Sequence, residues 1–289
     1  MILGQGFEVL DYCKGTEKID MDCLLEESRI LATRWIDNIV INENKPNFFM
    51  DEEMKFHYIT EHGEHRCADI TEYAFAQLCT RVGIPANYIK KCFENNKREL
   101  AVLNFKTWAS DGASNMLIRE SDGIVRAVLS DKYVPYDSYK ALKTLKVAVN
   151  TKRWSPTQVY LSEDRLAVRY VDFENPLQVN EGMNSKLYTG LSVTNSDVGR
   201  GSLKMKVMLY RFACRNGMLI ASNGGTLYKQ THVGEKMKEG KIRKISEAIS
   251  QVDTIKETVQ KQIEESRKIL NPFEYDVCLS KAKRELKLS

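Results

Sequence analysis

The chain has 289 residues, enough for one large domain or two small ones at roughly 100 to 200 residues per domain. Hydrophobic residues at 43%, aromatics at 9% and a mean hydropathy of −0.40 exclude disordered, collagenous and membrane-embedded classes. The net charge of +4 conceals a split: residues 1–72 carry 7 basic and 16 acidic side chains, net −9, and the remainder carries 36 and 23, net +13.

No stretch approaches the roughly 18 consecutive apolar residues of a membrane span, and the N-terminus lacks a basic segment followed by a long apolar run, so a cytoplasmic protein without membrane contact is expected. The seven cysteines (Cys13, Cys23, Cys67, Cys79, Cys92, Cys214, Cys278) are odd in number and form no CxxC, which favours reduced thiols, most of them packed as small hydrophobes.

In chain order, the acidic turn Asp20, Asp22, Glu26, Glu27 and the stripe Leu24, Ile30, Leu31, Trp35, Ile39 predict a helix from about Asp20 to Ile39. Residues 42–69 are polar, with a short hairpin around Phe56 to Ile59 and His65 to Ala68. Thr71 caps a helix carrying Phe75, Leu78, Cys79 and Val82, Gly83 stops it, and Pro85 opens a second helix with Tyr88, Ile89, Cys92 and Phe93. The spacing of Cys79, Gly83 and Ile89 fits a DNA-reading helix-turn-helix, with Asn87, Lys90 and Lys91 facing outward, and equally fits a packed helical hairpin.

From Arg119 the pattern turns to strands. Residues 126–137 end in a turn at Pro135, before a short helix, SYKALKTLKVAV. Residues 155–173 predict a hairpin with Leu166, Val168 and Tyr170 on one face. Strands follow at Leu187 to Thr194 and Leu203 to Ala213, joined by NSDVGRGS (195–202) and closed by a turn at Asn216 and Gly217. Alternation puts Leu203, Met205, Val207 and Leu209 inward and Lys204, Lys206, Met208 and Tyr210 on the other face. Glu235 to Leu270 reads as one amphipathic helix of about 54 Å, its stripe either core over its whole length or core at one end and a self-association surface at the other.

The common nucleotide, zinc and nucleophile templates are absent from the sequence: it has no GxxxxGK[ST], GxGxxG after a strand, HExxH, GxSxG or paired-cysteine zinc spacing, and no cofactor is expected. His57, His62, His65 and Cys67 match no familiar metal spacing, and strand alternation is expected to scatter them over both faces. Glu120, Asp122, Asp131, Asp172 and Asp197 offer carboxylates for a magnesium nuclease, yet their spacing equally suits turns and caps. The basic signal is denser. Between Arg200 and Lys244, 11 Lys or Arg face only Glu235 and Glu239, net +9. Arg200, Lys204, Lys206, Arg211, Arg215 and Lys229 could neutralise phosphates while Tyr210 stacks an unpaired base, the combination used by single-strand binders. A charged outer face that keeps a sheet soluble is the plain alternative.

RAVLSDKY, the hairpin SPTQVYLSEDRLAVRYVDF, the run GLSVTNSDVGRGSLKMKVMLYRFACRNGM (190–218) and GIPANYIKKC (83–92) together resemble the phage/plasmid-like protein family, a domain of unknown function found in phages, prophages and plasmids. In that family the turns read Asn-Ser-Glu-Val-Gly and Cys-Thr-Asn-Gly; here Asp197 replaces the Glu and Arg215 the Thr, which adds charge to the second turn. The resemblance implies a mobile-element origin and a bacterial host cytoplasm, and supplies no activity. A meander followed by one long helix is also similar in architecture to ring-forming single-strand annealing proteins.

The expected fold is α+β: an antiparallel β-meander covered by a long C-terminal helix (119–289), with an N-terminal, mainly helical lobe (1–118). The expected function is non-enzymatic binding of single-stranded nucleic acid by a homo-oligomer, in recombination or replication. The alternative is a protein-interaction module, such as an inhibitor of a host protein, docking through the acidic N-terminal region or the long helix.

Overall fold

The Asp20 carboxylate accepts the backbone N–H groups of Asp22 (2.8 Å) and Cys23 (3.3 Å), and this cap starts α1, Met21–Ala32. The computed structural model describes residues 10–11, 19–43, 45–111, 114–149, 153–162, 164–178, 186–212, 219–234 and 241–266. The first helix stops well short of Ile39. Leu31, Trp35 and Ile39 fit a helical stripe, but the β-branched Ile36, Ile39 and Val40 form strand β2, Ile36–Val40, paired with β6, Met116–Ser121.

That pair belongs to a six-stranded sheet in which β2 and β6 are followed by β7 (Ile124–Ser130), β5 (His65–Ile70), β4 (Phe56–Ile59) and β3 (Phe48–Met50). The β5–β7 pairing is parallel and the others are antiparallel. Helices α2 (Glu72–Val82), α3 (Ala86–Glu94) and α4 (Arg98–Ser110) pack on it around Phe48, Phe56, Phe75, Leu78 and Phe105. Thr71 caps α2 by accepting the Ala74 N–H (3.2 Å), and Gly83 ends it at φ 84°, a left-handed conformation that suits glycine. Cys79 and Ile89 of the hairpin are fully buried and Lys90 pairs with Glu72, so its spacing is used for packing. The N-terminal helices thus share their lobe with a sheet that continues past residue 118, which lies inside β6.

The second sheet runs in the order β1 (Leu10–Asp11), β8 (Ser155–Leu161), β9 (Leu166–Val171), β11 (Lys186–Asn195), β12 (Leu203–Phe212) and β13 (Leu219–Gln230), all antiparallel, with β10 (Leu177–Gln178) also paired to β11. Its alternation is the one read from the sequence. Val168, Tyr170, Leu191, Met205 and Val207 point into a core roofed by α1, α5 (Ser138–Ala148) and α6 (Lys241–Ser266) through Leu24, Leu142, Leu145, Ile245 and Val252. Each such side chain contributes about 1.5–3 kcal/mol on burial.

Along α6, Ile245, Ala248 and Val252 are core, while Ile255 and Val259 further along are only half-buried. Arg153 locks this helix down, donating to Asp172 (2.8 Å) beside the sheet and to Asp253 (3.0 Å) on the helix. The expected extensions of this helix, 235–240 and 267–270, lie outside the described residues. No described helix is long and apolar enough to cross a membrane.

The sheets meet where loop 195–202 docks. Val198 packs on Leu117, Ala127 and Leu129 of the first sheet, and Gln77 of α2 donates to the Val198 carbonyl (3.0 Å). Gly199 sits at φ 77°, and a Cβ there would lie 2.5 Å from Leu129 Cδ2. At the centre of the junction Arg119, 1% exposed, binds Asp37 (2.7 Å), Asp137 (2.8 Å) and the Asp197 carbonyl (2.7 Å).

Candidate nucleic-acid interface

Helices cover one face of the second sheet, and alternation commits the other face to solvent-facing residues from five strands. Two rows can be read across it in register. Tyr160, Ala167, Thr194, Lys204 and Lys229 form one; Gln158, Arg169, Ser192, Lys206 and Thr226 form the next. Strands lie about 4.8 Å apart, so Arg169 on β9 and Lys206 on β12 stand roughly 10 Å apart across a floor of small residues on β11.

Two further arginines border these rows from turns. Arg165 ends the β8–β9 turn, which is held by Ser162, whose N–H donates to the Arg165 carbonyl (2.9 Å) and whose hydroxyl accepts the Arg165 N–H (3.2 Å). Arg200 comes from the docked loop, where its N–H donates to the Ser196 hydroxyl (2.9 Å). Its guanidinium pairs with Asp164 and lies 4.7 Å from the ring centre of Tyr73 on α2. Arg165, Arg169, Arg200 and Lys229 are exposed, and Lys204 and Lys206 half-exposed. Lys204 and Lys229 are register partners, a like-charged pair that costs stability in a sheet unless an anion lies between them.

The sequence-predicted residues Arg200, Lys204, Lys206 and Lys229 therefore gather on one open face. Tyr210 does not serve as the expected stacking ring. It shares the strand parity of the lysines but is 1% exposed, packed with Val171, Met208 and Tyr188, its ring lying over Gly190. Burial pushes its hydroxyl above the usual phenol range, and that hydroxyl has no hydrogen-bond partner among the described residues. Arg211 lies in β12 opposite Leu187 and Ile220, with its side chain outside the described residues, and Arg215 and the turn at Asn216 and Gly217 lie outside them altogether.

The sequence reading missed Arg165, Arg169, Gln158 and Tyr160. Their signal was present in the hairpin, since Leu166, Val168 and Tyr170 pointing inward leave Ala167 and Arg169 outward. What the sequence did not carry was the strand order that sets β9 beside β11.

The other candidate clusters resolve differently. His57, His65 and Cys67 share one face instead of scattering, because 57 and 67 are register partners and 65 is two residues from 67. His57 bonds Asp51 (2.9 Å), approaches His65 (3.4 Å) and stacks on Phe49 at 4.4 Å, while His62 stands apart in the turn. Among the described residues no group of three or more His, Cys, Asp or Glu is arranged to hold a metal ion.

The five carboxylates also diverge. Glu120 accepts from the Tyr58 hydroxyl (2.7 Å), Asp172 from Arg153, and Asp197 from the Ser138 N–H (2.8 Å) and hydroxyl (2.7 Å). Asp122 occupies the β6–β7 turn and Asp131 the turn between β7 and α5.

Residues 126–269 match the model of a family described as a domain of unknown function (DUF932). The match spans the whole second sheet from β8 onward, its helices α5 and α6, and every residue of the basic face. No curated protein and no solved structure matches the chain.

Proposed function

We infer that the protein binds single-stranded nucleic acid on the open face of its second sheet. The observation that carries this reading is the convergence of Arg165, Arg169, Arg200, Lys204, Lys206 and Lys229, from three strands and two turns, on a face the helices leave uncovered. The roughly 10 Å between the strands that carry Arg169 and Lys206 suits one nucleic-acid strand rather than a duplex. Lysine and arginine displace counterions from phosphates, and Tyr160, half-buried on β8 beside Ala167, takes the stacking role expected of Tyr210.

The reading extends to a phage or plasmid protein of the bacterial cytoplasm, on the resemblance of its sequence motifs, and to a homo-oligomer for strand annealing in recombination or replication, on the likeness of a meander plus long helix to ring-forming annealing proteins. Fluorescence anisotropy with a labelled oligothymidylate tests it. Binding at low salt should weaken with a slope of about 0.7 log units per decade of salt for each phosphate neutralised, and Lys204→Gln with Lys206→Gln should lower that slope by roughly two phosphates' worth. A wild-type protein that binds no oligonucleotide at low salt refutes the reading.

One observation favours a protein-interaction module instead. Tyr88, Leu100, Leu103 and Trp108 are 42–61% exposed on α3 and α4, elements other than the long helix first considered for docking. A stoichiometric protein partner retained from host lysate after nuclease treatment, and lost in Leu103→Glu, would support that reading.

A further inference from the structure

Within the basic face, three arginines are set apart from the lysines. Arg165, Arg169 and Arg200 line a depression of about 310 Å³ with Asp164, Gln158, Tyr160 and Ala167, on the β8–β9 side of the sheet. Tyr160 and Ala167, register partners on β8 and β9, are its apolar lining. Arg169 is held by the Gln158 side-chain carbonyl, and Arg200 by Asp164, whose other oxygen accepts from Ser162 (2.6 Å).

Three guanidiniums against one carboxylate leave a charge of +2 among the described lining residues. An internucleotide phosphate carries a single negative charge, whereas a phosphomonoester carries about −1.5 to −2 near neutral pH. Arginine's planar fork also matches two oxygens of a terminal phosphate with two parallel bonds, whereas a lysine ammonium acts as a point charge.

The geometry points to this depression as a subsite for a terminal phosphate, the phosphorylated end of a nucleic-acid strand or a free nucleotide, with the adjoining base stacked on Tyr160. The inference rests on the strand-binding reading and gives the bound strand an anchored end: the arginines hold its terminal phosphate while Lys204, Lys206 and Lys229 follow the internal ones. Entry of the phosphate exchanges the Arg200–Asp164 contact for a stronger one, and Asp164 keeps its bond from Ser162.

Anisotropy titrations with 5′-phosphorylated and 5′-hydroxyl oligothymidylates of equal length, at neutral pH, test this directly. The phosphorylated strand should bind roughly tenfold more tightly or better. Arg165→Gln with Arg169→Gln should bring that ratio to about one, whereas Lys204→Gln with Lys206→Gln should weaken both strands by the same factor. Both arginines are exposed, so the fold survives their replacement, and circular dichroism checks it. Equal wild-type affinities for the two ends overturn the inference and leave strand binding standing. If neither strand binds, the strand reading fails and thymidine monophosphate titrated alone decides the subsite. Saturable binding lost in the arginine variant keeps it as a nucleotide site; no binding removes it.

Discussion

Replacing Asp197 with asparagine probes the junction that presents Arg200. The Asp197 side chain is buried, bonded by Ser138, with Asp137 and Arg119 close by. Burial, and then the negative charge of Asp137, lift its pKa to about 7, against about 3.9 in an unfolded chain. Between these values the native state holds a proton that the unfolded state has released. Stability therefore falls as pH rises through this window, by about 1.4 kcal/mol per unit and by about 4 kcal/mol across all of it, and levels off above pH ~7 where both states are ionised.

In Asp197→Asn the new amide keeps an oxygen for Ser138, the backbone carbonyl still serves Arg119, and nothing is left to titrate at this position. Urea unfolding of both proteins between pH 5 and 8 reads the difference. Near pH 5 the variant should already lead by about 1.5 kcal/mol, and by pH 8 by about 4 kcal/mol. Stability curves that stay parallel from pH 5 to 8 would refute the reasoning.

Three further outcomes are expected. Arg119→Met leaves Asp37 and Asp137 facing each other at the junction and should cost about 3–5 kcal/mol in urea unfolding, part of it restored by Asp137→Asn. At Gly190 a Cβ would lie 2.6 Å from the Tyr170 carbonyl oxygen and against the Tyr210 ring, so Gly190→Ala should cost about 1–3 kcal/mol or more. Gly201→Ala, at an open position, should stay within about 0.5 kcal/mol. Tyr210→Phe removes a buried hydroxyl with no partner among the described residues and should leave stability unchanged or slightly raised and oligonucleotide affinity unchanged, while Tyr160→Ala should weaken binding by about 1–3 kcal/mol.

In the second sheet β8, β9, β11 and β12 were legible because they alternate over one buried face, as inward Leu203, Met205 and Val207 show, whereas β1, β10 and β13 were not read. Of the first sheet only the β4–β5 hairpin, expected at 56–59 and 65–68, and the strand character from Arg119 were legible, for two reasons. Its central strands β6 and β7 are buried on nearly every residue, as MLIRES and IVRAVLS show, so they carry no alternation to detect. Helix α4 was equally silent: Ala101, Phe105 and Ala109 face the core while Leu100, Leu103 and Trp108 face outward, which blurs any stripe. Strand β2 was absorbed into a false helical continuation because its partner lies some 80 residues away, and only that pairing decides between the two.

The same distinction between local pattern and long-range pairing explains what was seen of the site. Parity along β12 correctly put Lys204, Lys206 and Tyr210 on one face, but parity says nothing of what lies beyond the strand. Gly190 on the neighbouring strand provides the bare backbone over which Tyr210 folds down, closing that end of the face with Met208 and Val171. At the other end, strand order brings Arg169 across from Lys206 by way of Ser192, so cations nearly 40 residues apart border one trough. The acidic front of the chain is divided by the same topology. Asp22 pairs with Lys146 on the helical side of the second sheet, and Asp37 with Arg119 at the junction. Neither contact lies among the residues of the basic face, where Asp11 on β1, the register partner of Tyr160, is the acidic front's neighbour at the β8 edge; under the strand-binding reading the cations beyond that edge act on a polyanion.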